Sequence, residues 1–240
     1  MTTVQCVILA GGLGTRMARW TTERPKALIP VLGEPFLRLQ LRRLAEDGVT
    51  DVVVATGYLG EQIKAEVHDH PVDGLRVRCI PDGPDLLGTG GCLRRLVDLG
   101  ELDSTFLLTY GDSYLSLDHG DVFAAFDASR FDALMTLSAP MAGRDQPNAR
   151  ASAGVVLEYR KQHGDSHLDA VDHGVSVVSA DAVLTTIPSG RPSDLAQAFS
   201  LWASGGRLQA YPTTHRYYEI GSEVGLAELE EVLSKVEVSR

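Results

Sequence analysis

Residues 9–16, with the sequence LAGGLGTR, form a glycine-rich stretch that directly follows a short apolar run. Because glycine has no Cβ atom, such a turn lets the backbone approach a ligand closely and adopt positive φ angles. Successive N–H groups in the turn form a concave anion site, which suits a phosphate chain. Arg16 adds a guanidinium and Lys26 a mobile ammonium. The stretch therefore predicts a phosphate site with two cations at its rim, against the plainer interpretation of a tight turn with solvated cations.

Two carboxylates that lie on or directly after apolar strand patterns are candidates for holding a divalent cation. Asp112 comes soon after the apolar residues 106–110, and Glu219 lies in the stretch 217–222, YYEIGS. Proteins bind Mg²⁺ through one or two carboxylates together with phosphate oxygens and water. Each carboxylate also has a plainer interpretation, Asp112 as a turn cap and Glu219 as a solvated residue on an edge strand.

A second glycine-rich stretch, residues 87–91 (LGTGG), precedes a pattern typical of a helix. Glycines let the backbone approach a flat ligand, and the first turn of a helix offers free N–H groups. Asp82 lies six positions before Gly88. A carboxylate only accepts hydrogen bonds, which suits the two adjacent donors of guanine better than the single donor of uracil or thymine. If Asp82 contacts a base, it favours GTP; the alternative is that it only caps the turn at 82–84 while backbone groups contact the base.

The string GGxGTR, followed by Pro25-Lys26 and the LGTGG stretch, resembles the signature of sugar-1-phosphate nucleotidyltransferases. Within that family the chain is most similar to the short heptose-1-phosphate and mannose-1-phosphate guanylyltransferase-like group. Neither a dinucleotide-binding fingerprint nor a P-loop fits residues 9–16. The resemblance implies catalytic roles for Arg16, Lys26 and Asp112, and metal ligation by Asp112 and Glu219. The nucleotide contacts that it implies are Leu9, Ala10, Gly11, Gly12, Gly14, Thr15, Arg16, Asp82, Gly88, Thr89 and Gly90.

The activity that the resemblance implies is transfer of a nucleoside monophosphate from a nucleoside triphosphate, with GTP favoured, to a heptose or hexose 1-phosphate. Mg²⁺ is the implied cofactor and pyrophosphate the leaving group. The residues that the resemblance places against the sugar phosphate are Lys26, Asn148, Lys161, Asp172 and Gly174. Arg160 stands where the family has a glutamate that contacts the sugar, and Glu219 stands where it has an aspartate. These departures leave the identity of the sugar open.

Three alternatives remain open at the level of the sequence. The first is the same reaction with UTP or dTTP, or on a cyclitol phosphate. The second is a regulatory protein that binds a nucleotide sugar without catalysis. The third is a metal-dependent glycosyltransferase, although such enzymes usually carry an Asp-x-Asp motif and residues 112–114 read DSY.

These candidate residues need a scaffold that brings strand ends together. Strand and helix patterns alternate in the first half, which predicts a doubly wound, mainly parallel (mixed) Rossmann-like α/β sheet with helices on both faces. Ligands bind beyond the carboxyl ends of the strands in such sheets. The resemblance implies the nucleotidyltransferase, GT-A-like version of this fold. The predicted strands are 4–9, 51–55, 75–80, 105–110, 133–137, 154–159, 175–178, 208–211 and 217–220, and the predicted helices are 34–48, 59–67, 89–99, 122–126, 193–204 and 223–236.

We expect a single nucleotidyltransferase domain, 1–240, with a nucleotide-binding half at 1–128 and a sugar-phosphate-binding half at 129–240. The net charge of −10 argues against a nucleic-acid surface. No apolar stretch has the length of a membrane span, and the N-terminus lacks a basic region. The three cysteines show no metal or disulfide spacing, which is typical of a cytoplasmic protein. The last helix packs either on the core or on a second subunit, which leaves a homodimer open.

Overall fold

The computed structural model describes residues 3–12, 17–83, 85–141, 146–161 and 167–237 of the 240-residue chain. Its strands are β1 (Gln5–Leu9), β2 (Pro30–Val31), β3 (Glu34–Pro35), β4 (Asp51–Thr56), β5 (Arg76–Pro81), β6 (Thr105–Tyr110), β7 (Ser113–Leu115), β8 (Ala133–Ser138), β9 (Ala149–Ser152), β10 (Val155–Tyr159), β11 (Val171–Ser179), β12 (Leu208–Pro212) and β13 (Tyr217–Glu219). Its helices are α1 (Ala18–Thr21), α2 (Phe36–Glu46), α3 (Gly60–Asp69), α4 (Gly88–Asp98), α5 (His119–Ala124), α6 (Ala180–Thr186), α7 (Leu195–Ser204) and α8 (Glu223–Glu237), with a 3₁₀ turn at Lys26–Leu28. Within these residues the main sheet has nine strands in the order β5-β4-β1-β6-β11-β8-β12-β10-β9.

The four strands that the first half contributes to the main sheet, β5, β4, β1 and β6, are parallel and carry helices on both faces. β1 lies between β4 and β6, with Val7 opposite both Val53 and Leu108, and β5 pairs with β4 at the edge. Successive residues of a strand point to opposite faces, so a doubly covered strand is apolar throughout. Val7 packs in the core with α4, α6 and α7, whereas Ile8 packs on the other face with α2, α3 and α5. The predicted doubly wound α/β architecture with helices on both faces is confirmed.

The second half of the sheet is largely antiparallel. β11 runs antiparallel to both β6 and β8, and β10 runs antiparallel to β9 and β12, whereas β12 and β8 are parallel. The parallel arrangement expected from the alternation of patterns therefore holds for the first half, and the sheet as a whole is mixed. Because β11 pairs directly with β6, strands from both halves share one sheet.

Six elements, α1, β2, β3, β7, β9 and α6, have no counterpart among the predicted ones, and β3 occupies the first two residues of the predicted helix 34–48. β7 has three residues and pairs with β13 in a separate two-stranded sheet. β9 has four residues, ARAS, with no clear apolar alternation, and α6 has seven residues that follow β11 without a break. Elements this short form because partners cover them, so their own sequence pattern is too weak to predict them.

The last helix, α8, packs on the core of its own chain. Leu226 and Leu229 are buried against Tyr218, Ile220 and Phe36. Of the two alternatives for this helix, the structure therefore shows packing on the core, and a homodimer formed through another surface stays a prediction. None of the helices within the described ranges has the length and apolar character needed to cross a membrane.

Candidate functional site

A cavity of about 340 Å³ lies where the carboxyl ends of β1, β5 and β6 meet the start of α4. The predicted site residues that line it are Leu9, Ala10, Gly11, Gly12, Lys26, Asp82, Gly88, Thr89 and Asp112. These residues converge because β5, β4, β1 and β6 are parallel neighbours that end at one edge of the sheet. Gly14, Thr15 and Arg16 lie outside the described residues, so their roles stay predictions.

The turn after β1 is held closely by two other loops. A Cβ atom at Gly11 would lie 2.0 Å from Asp82 Oδ2, and one at Gly57 would lie 2.6 Å from the Gly11 carbonyl oxygen. Ala10 N donates a hydrogen bond to Ala55 O at 2.9 Å, which extends the pairing of β1 with β4 into the turn. Gly11 therefore lets neighbouring loops pack, in addition to the close ligand approach that its type predicts.

Asp82 lines the cavity with a side chain that is fixed by its neighbours. Asp82 N donates to Thr56 O at 2.7 Å, and Asp82 Oδ1 accepts a hydrogen bond from the Cys92 thiol at 3.0 Å. Burial raises the pKa of Asp82, and the Cys92 thiol and the Arg95 guanidinium oppose this shift without cancelling it. Burial and the adjacent carboxylate also raise the pKa of the Cys92 thiol, so this group stays protonated and remains a donor.

Lys26 and Asp112 form an ion pair beside the cavity. Lys26 Nζ lies 2.5 Å from Asp112 Oδ2, and the two side chains are 14% and 28% exposed. Ser113 Oγ donates to Asp112 Oδ1 at 3.2 Å. A Cβ atom at Gly221 would lie 2.9 Å from Lys26 Nζ and 3.2 Å from Glu219 Oε2. Glycine at this position therefore leaves the space that the Lys26 ammonium group and the Glu219 carboxylate occupy on either side of it.

The short ladder between β7 and β13 brings Glu219 next to the Asp112 turn. Glu219 is paired with Ser113, and Ile220 N donates to Asp112 O at 3.0 Å. In the described part of the chain, no group of three or more His, Cys, Asp or Glu side chains is placed to hold a metal ion unaided. Two carboxylates completed by phosphate oxygens form a donor set that suits Mg²⁺. The residues present therefore fit Mg²⁺ bound together with a triphosphate.

The first turn of α4 is covered by residues 191–195, which differs from the open helix end that the LGTGG stretch predicts. Gly90 N and Gly91 N donate to Ser193 O at 2.9 and 3.3 Å, and Ser193 N donates to Leu87 O at 2.8 Å. A Cβ atom at Gly88, where φ is +67°, would lie 2.7 Å from Ser193 O. Two N–H groups expected to face the nucleotide are thus used within the chain, and Gly90 is not among the residues that line the cavity.

Asp194 links this covering segment to Lys161. Asp194 Oδ1 accepts hydrogen bonds from Ala196 N at 3.1 Å, as the N-cap of α7, and from Thr89 Oγ1 at 3.4 Å. Asp194 Oδ2 forms an ion pair with Lys161 Nζ. Leu195 N in turn donates to Thr89 Oγ1 at 3.0 Å. Lys161 therefore reaches the edge of the nucleotide loop through Asp194 and does not itself line the cavity.

Asn148, Asp172 and Gly174 form one hydrogen-bonded network. Asn148 Oδ1 accepts from Asp172 N at 2.9 Å, and Asp172 Oδ1 accepts from Gly174 N at 2.9 Å. Tyr159 OH donates to Asp172 Oδ2 at 3.2 Å. Burial raises the pKa of Asp172 to about 6, although the hydrogen bonds from Gly174 and Tyr159 act in the opposite direction. The structure therefore brings three of the predicted sugar-phosphate residues together, and it uses Asn148 to hold the start of β11.

Gly174 lies beside two tyrosines, Tyr110 and Tyr217, and Tyr110 connects this network to the cavity. Gly174 has φ +74° where the register of β11 shifts, and a Cβ atom there would lie 3.5 Å from Tyr110 Cδ2 and 3.6 Å from Tyr217 Cε2. Tyr110 lines the cavity, and Tyr217 OH lies 3.3 Å from Ser113 Oγ. Neither tyrosine is among the residues predicted from sequence. Their positions, directly before the 111–112 turn and two residues before Glu219, are the signal that points to them.

Residues 6–186 match the family described as the MobA-like NTP transferase domain. Glucose-1-phosphate cytidylyltransferase of Salmonella typhimurium is 31% identical over 165 residues, which are 55% of this chain and 64% of that protein. Mannose-1-phosphate guanylyltransferase of Mycobacterium tuberculosis is 29% identical over 192 residues, 78% of this chain and 52% of that protein. D-glycero-alpha-D-manno-heptose 1-phosphate guanylyltransferase of Campylobacter jejuni is 31% identical over 116 residues, which are 48% of this chain and 50% of that protein. The chain thus spans between about half and two thirds of the length of these curated relatives.

Solved structures match over nearly the whole chain. HddC from Yersinia pseudotuberculosis superimposes with a TM-score of 0.78 at 24% identity, covering 96% of this chain and 100% of that chain, and its complex with GMP-PN superimposes equally well at 22% identity. The inositol-1-phosphate CTP transferase from T. maritima gives a TM-score of 0.79 at 18% identity, covering 99% and 97% of the two chains. These likenesses establish the fold, which is the nucleotidyltransferase version of the α/β sheet that the sequence resemblance implies.

Proposed function

The chain belongs to the MobA-like NTP transferase domain family, and we propose from this premise that it is a sugar-1-phosphate nucleotidyltransferase. The proposed reaction transfers a nucleoside monophosphate from a nucleoside triphosphate to a sugar 1-phosphate and releases pyrophosphate. GTP is the proposed donor, and a heptose or hexose 1-phosphate is the proposed acceptor. We place the reaction in the cytoplasm and assign the chain no nucleic-acid or membrane partner.

The observation that carries the proposal is the convergence of Lys26, Asp112 and Glu219 beside a cavity walled by glycine backbone. A triphosphate and a sugar phosphate repel each other, and the chain carries a net charge of −10. Binding both anions therefore requires cations at the point where they meet. One ammonium and two carboxylates able to hold a divalent cation provide this local charge.

A single in-line displacement fits these residues. A sugar-phosphate oxygen forms a bond to the α-phosphorus, while the bond from that phosphorus to the β-phosphate oxygen breaks and its electron pair leaves with pyrophosphate. A phosphate monoester is already anionic near neutral pH, so the step needs no strong general base. Mg²⁺ held by Asp112 and Glu219 would supply charge neutralisation at the α-phosphate. The remaining work of the protein is positioning and electrostatic stabilisation.

The cations of the site have separate proposed roles. Lys26 exchanges its Asp112 oxygen for a phosphate oxygen and holds the sugar phosphate near the α-phosphorus. Lys161 exchanges Asp194 for the acceptor phosphate in the same way, with Asn148, Asp172 and Gly174 arranged around the sugar. Arg16, which lies outside the described residues, is assigned to the triphosphate and the departing pyrophosphate. The glycine turn provides N–H groups to the phosphate chain.

The preference for GTP is argued from Asp82. Its carboxylate lies in the cavity and accepts hydrogen bonds, which matches the adjacent ring N–H and amino donors of guanine. Leu86, which also lines the cavity and is 72% exposed, offers an apolar surface to a base. Support also comes from the HddC structure that contains GMP-PN.

Replacing Asp82 by asparagine tests this preference. Asp82→Asn exchanges one acceptor oxygen for a donor, so we expect the ratio of kcat/KM for GTP to that for UTP to fall by about tenfold or more, since a bidentate base contact contributes roughly 1–3 kcal/mol of discrimination. Asp85→Asn, a matched change at an exposed position of the same loop, should leave the ratio unchanged. An unchanged ratio in Asp82→Asn would show that Asp82 does not discriminate between the bases and would leave that role to backbone groups.

The acceptor is proposed as a neutral sugar 1-phosphate because relatives are named for glucose, mannose and heptose 1-phosphates. Arg160, which stands where the family has a sugar-contacting glutamate, forms an ion pair with Glu158 at 2.7 Å. A structural neighbour is named for inositol 1-phosphate. A cyclitol phosphate therefore belongs in any test of the acceptor.

The test of the proposed function is pyrophosphate release with Mg²⁺, with GTP, UTP, dTTP, CTP and ATP crossed against hexose, heptose and inositol 1-phosphates. We expect release that requires both a triphosphate and an acceptor, and that is fastest with GTP. Release with another base would overturn the GTP assignment and retain the reaction class. Nucleotide binding without pyrophosphate release for any pair would contradict the enzymatic function and would favour a nucleotide-binding protein without catalysis.

A further inference from the structure

Gln40 occupies a core position of α2 with a polar side chain. It is 5% exposed and lies on the helix face that also buries Leu37, Leu41 and Leu44. A buried amide is stabilised when its donors are used, and an apolar residue would fill this face more simply. The presence of an amide here therefore needs a reason beyond filling the core.

The amide of Gln40 bonds to both ends of the turn that carries Asp112. Gln40 Nε2 donates to Tyr110 O at 2.9 Å and to Ser113 O at 2.7 Å. Since a carbonyl oxygen can only accept, both hydrogens of the amide nitrogen must point at this turn. The two carbonyl groups bracket residues 111–112, so the amide spans the segment from which the Asp112 side chain projects.

The same turn has two further anchors. Gly111 N donates to Leu9 O at 3.0 Å, and Ile220 N donates to Asp112 O at 3.0 Å. The first anchor ties the turn to β1 and the second ties it to the segment that carries Glu219. Gln40 adds a third anchor, which ties the turn to helix α2. Together these contacts fix where the Asp112 carboxylate stands relative to Lys26 and Glu219.

We propose that Gln40 is a positioning residue, which sets the Asp112 carboxylate for the divalent cation and for Lys26 by clamping the carbonyls of Tyr110 and Ser113. This inference rests on the proposed function, because it assigns Gln40 a role in that same site. Groups that orient a metal-binding carboxylate act on affinity although they do not touch the metal. Misplacement of a reacting group by about 1 Å is enough to reduce rates strongly.

A purely structural role for Gln40 is the competing explanation, and the chain contains a matched control for it. Gln5 is also buried, at 3% exposure. Its Nε2 donates to Asp51 Oδ2 at 2.6 Å and to Glu101 O at 3.2 Å, and its Oε1 accepts from Asp103 N at 2.7 Å. Gln5 begins β1, at the opposite edge of the sheet from the cavity. Its loss removes the same kind of contact without reaching the site.

The experiment compares Gln40→Met with Gln5→Met, since methionine keeps the length of the side chain and removes the amide. Mn²⁺ binding in the presence of GTP, measured by electron paramagnetic resonance, reports on the cation site without turnover. We expect Gln40→Met to weaken Mn²⁺ binding by about 10- to 100-fold, the range for loss of an outer partner of a metal ligand. We expect Gln5→Met to lower the urea midpoint of unfolding and to bind Mn²⁺ like the wild type.

A second measurement needs no variant and applies if Gln40→Met does not fold. In protein labelled with ¹⁵N-glutamine, the side-chain amide signal of Gln40 should shift when Mg²⁺ and GTP are added, and that of Gln5 should not. The positioning role of Gln40 is overturned if wild type and Gln40→Met bind Mn²⁺ equally well, or if the Gln40 signal does not shift when Mg²⁺ and GTP are added. Either result leaves the proposed function standing. Failure of the wild type to bind Mn²⁺ with GTP overturns the cation site itself.

Discussion

Lys26, Asp82 and Asp112 show what single residues reveal before a structure is known. Their types and their spacing from the glycine stretches predict a site for phosphate and base, and all three line one cavity. The spacing could not predict the ion pair between Lys26 and Asp112, because that contact depends on how β6 and the 3₁₀ turn are placed. The spacing also could not predict that Ser193 O accepts hydrogen bonds from Gly90 N and Gly91 N, since Ser193 lies about 100 positions away along the chain.

Removal of either partner of the Lys26–Asp112 pair should impair turnover far more than folding. We expect Lys26→Ala and Asp112→Ala each to lower kcat/KM by roughly 10²-fold or more, the effect of losing one preorganised electrostatic contact. The measurement is initial-rate pyrophosphate release, with a thermal melt to show that each variant is folded. Lys64→Ala, at an exposed lysine on α3, is the control and should keep the wild-type rate. A folded Asp112→Ala protein with a near-normal rate would remove Asp112 from the site.

Asp172 should make stability depend on pH. Burial raises its pKa from 3.8 to about 6 in the folded chain. The protonated form is therefore favoured by folding, so its contribution is complete below pH 3.8 and is lost as the pH rises through about 6. Asp172→Asn does not titrate at this position. The free energy of unfolding of the variant minus that of wild type should therefore rise between these two pH values, by an amount that approaches about 3 kcal/mol. The measurement is urea unfolding of both proteins across this pH range. A difference in free energy of unfolding that does not change with pH would contradict the raised pKa of Asp172.

At the scale of elements, the long strands and helices follow from their patterns and the short ones do not. The predicted strand at 105–110 matches β6 residue for residue, and the predicted helix at 89–99 is displaced by one residue from α4. β7 and β13 each have three residues and are stabilised by pairing with each other and by the packing of α8 on β13. This ladder is nevertheless what brings Glu219 to Asp112, so the geometry of the site depends on the elements that are hardest to predict.

The packing of α4 against residues 191–195 should be intolerant of a single methyl group. A Cβ atom at Gly91 would lie 2.7 Å from Arg191 O and 2.9 Å from Leu87 Cβ. Gly91→Ala should therefore lower the free energy of unfolding by about 1–3 kcal/mol, the usual cost of overpacking, although alanine favours a helix. Gly12→Ala, whose Cβ would meet nothing within 4 Å, should stay within about 0.5 kcal/mol of wild type. Equal stability of the two variants would show that residues 191–195 move aside freely.

At the scale of the whole molecule, the main sheet joins the two halves of the chain. β11 of the second half pairs with β6 of the first, directly beside the strand end that carries Asp112. Composition and alternation predict an α/β sheet, but they do not contain its strand order. The order of an antiparallel continuation is set by long-range pairing, which a local pattern does not encode.

We propose that the chain is a single domain with two halves, and we expect that neither half folds alone. A fragment of residues 1–128 would leave β6 as an exposed edge and uncover Phe106 and Leu108, which are fully buried in the whole chain. We expect the fragments 1–128 and 129–240 to give no cooperative unfolding transition by circular dichroism when separate. A cooperative transition in fragment 1–128 would instead identify an independent nucleotide-binding domain.

The central claim, transfer of a nucleoside monophosphate by attack at the α-phosphorus, is tested most directly by the fate of a label. The protein is incubated with Mg²⁺, a sugar 1-phosphate and GTP labelled with ³²P at the α position, and the products are separated. We predict that all transferred label appears in a nucleoside diphospho-sugar and that the pyrophosphate carries none. Label in the pyrophosphate, or a sugar that gains only the γ-phosphate, would contradict the claim.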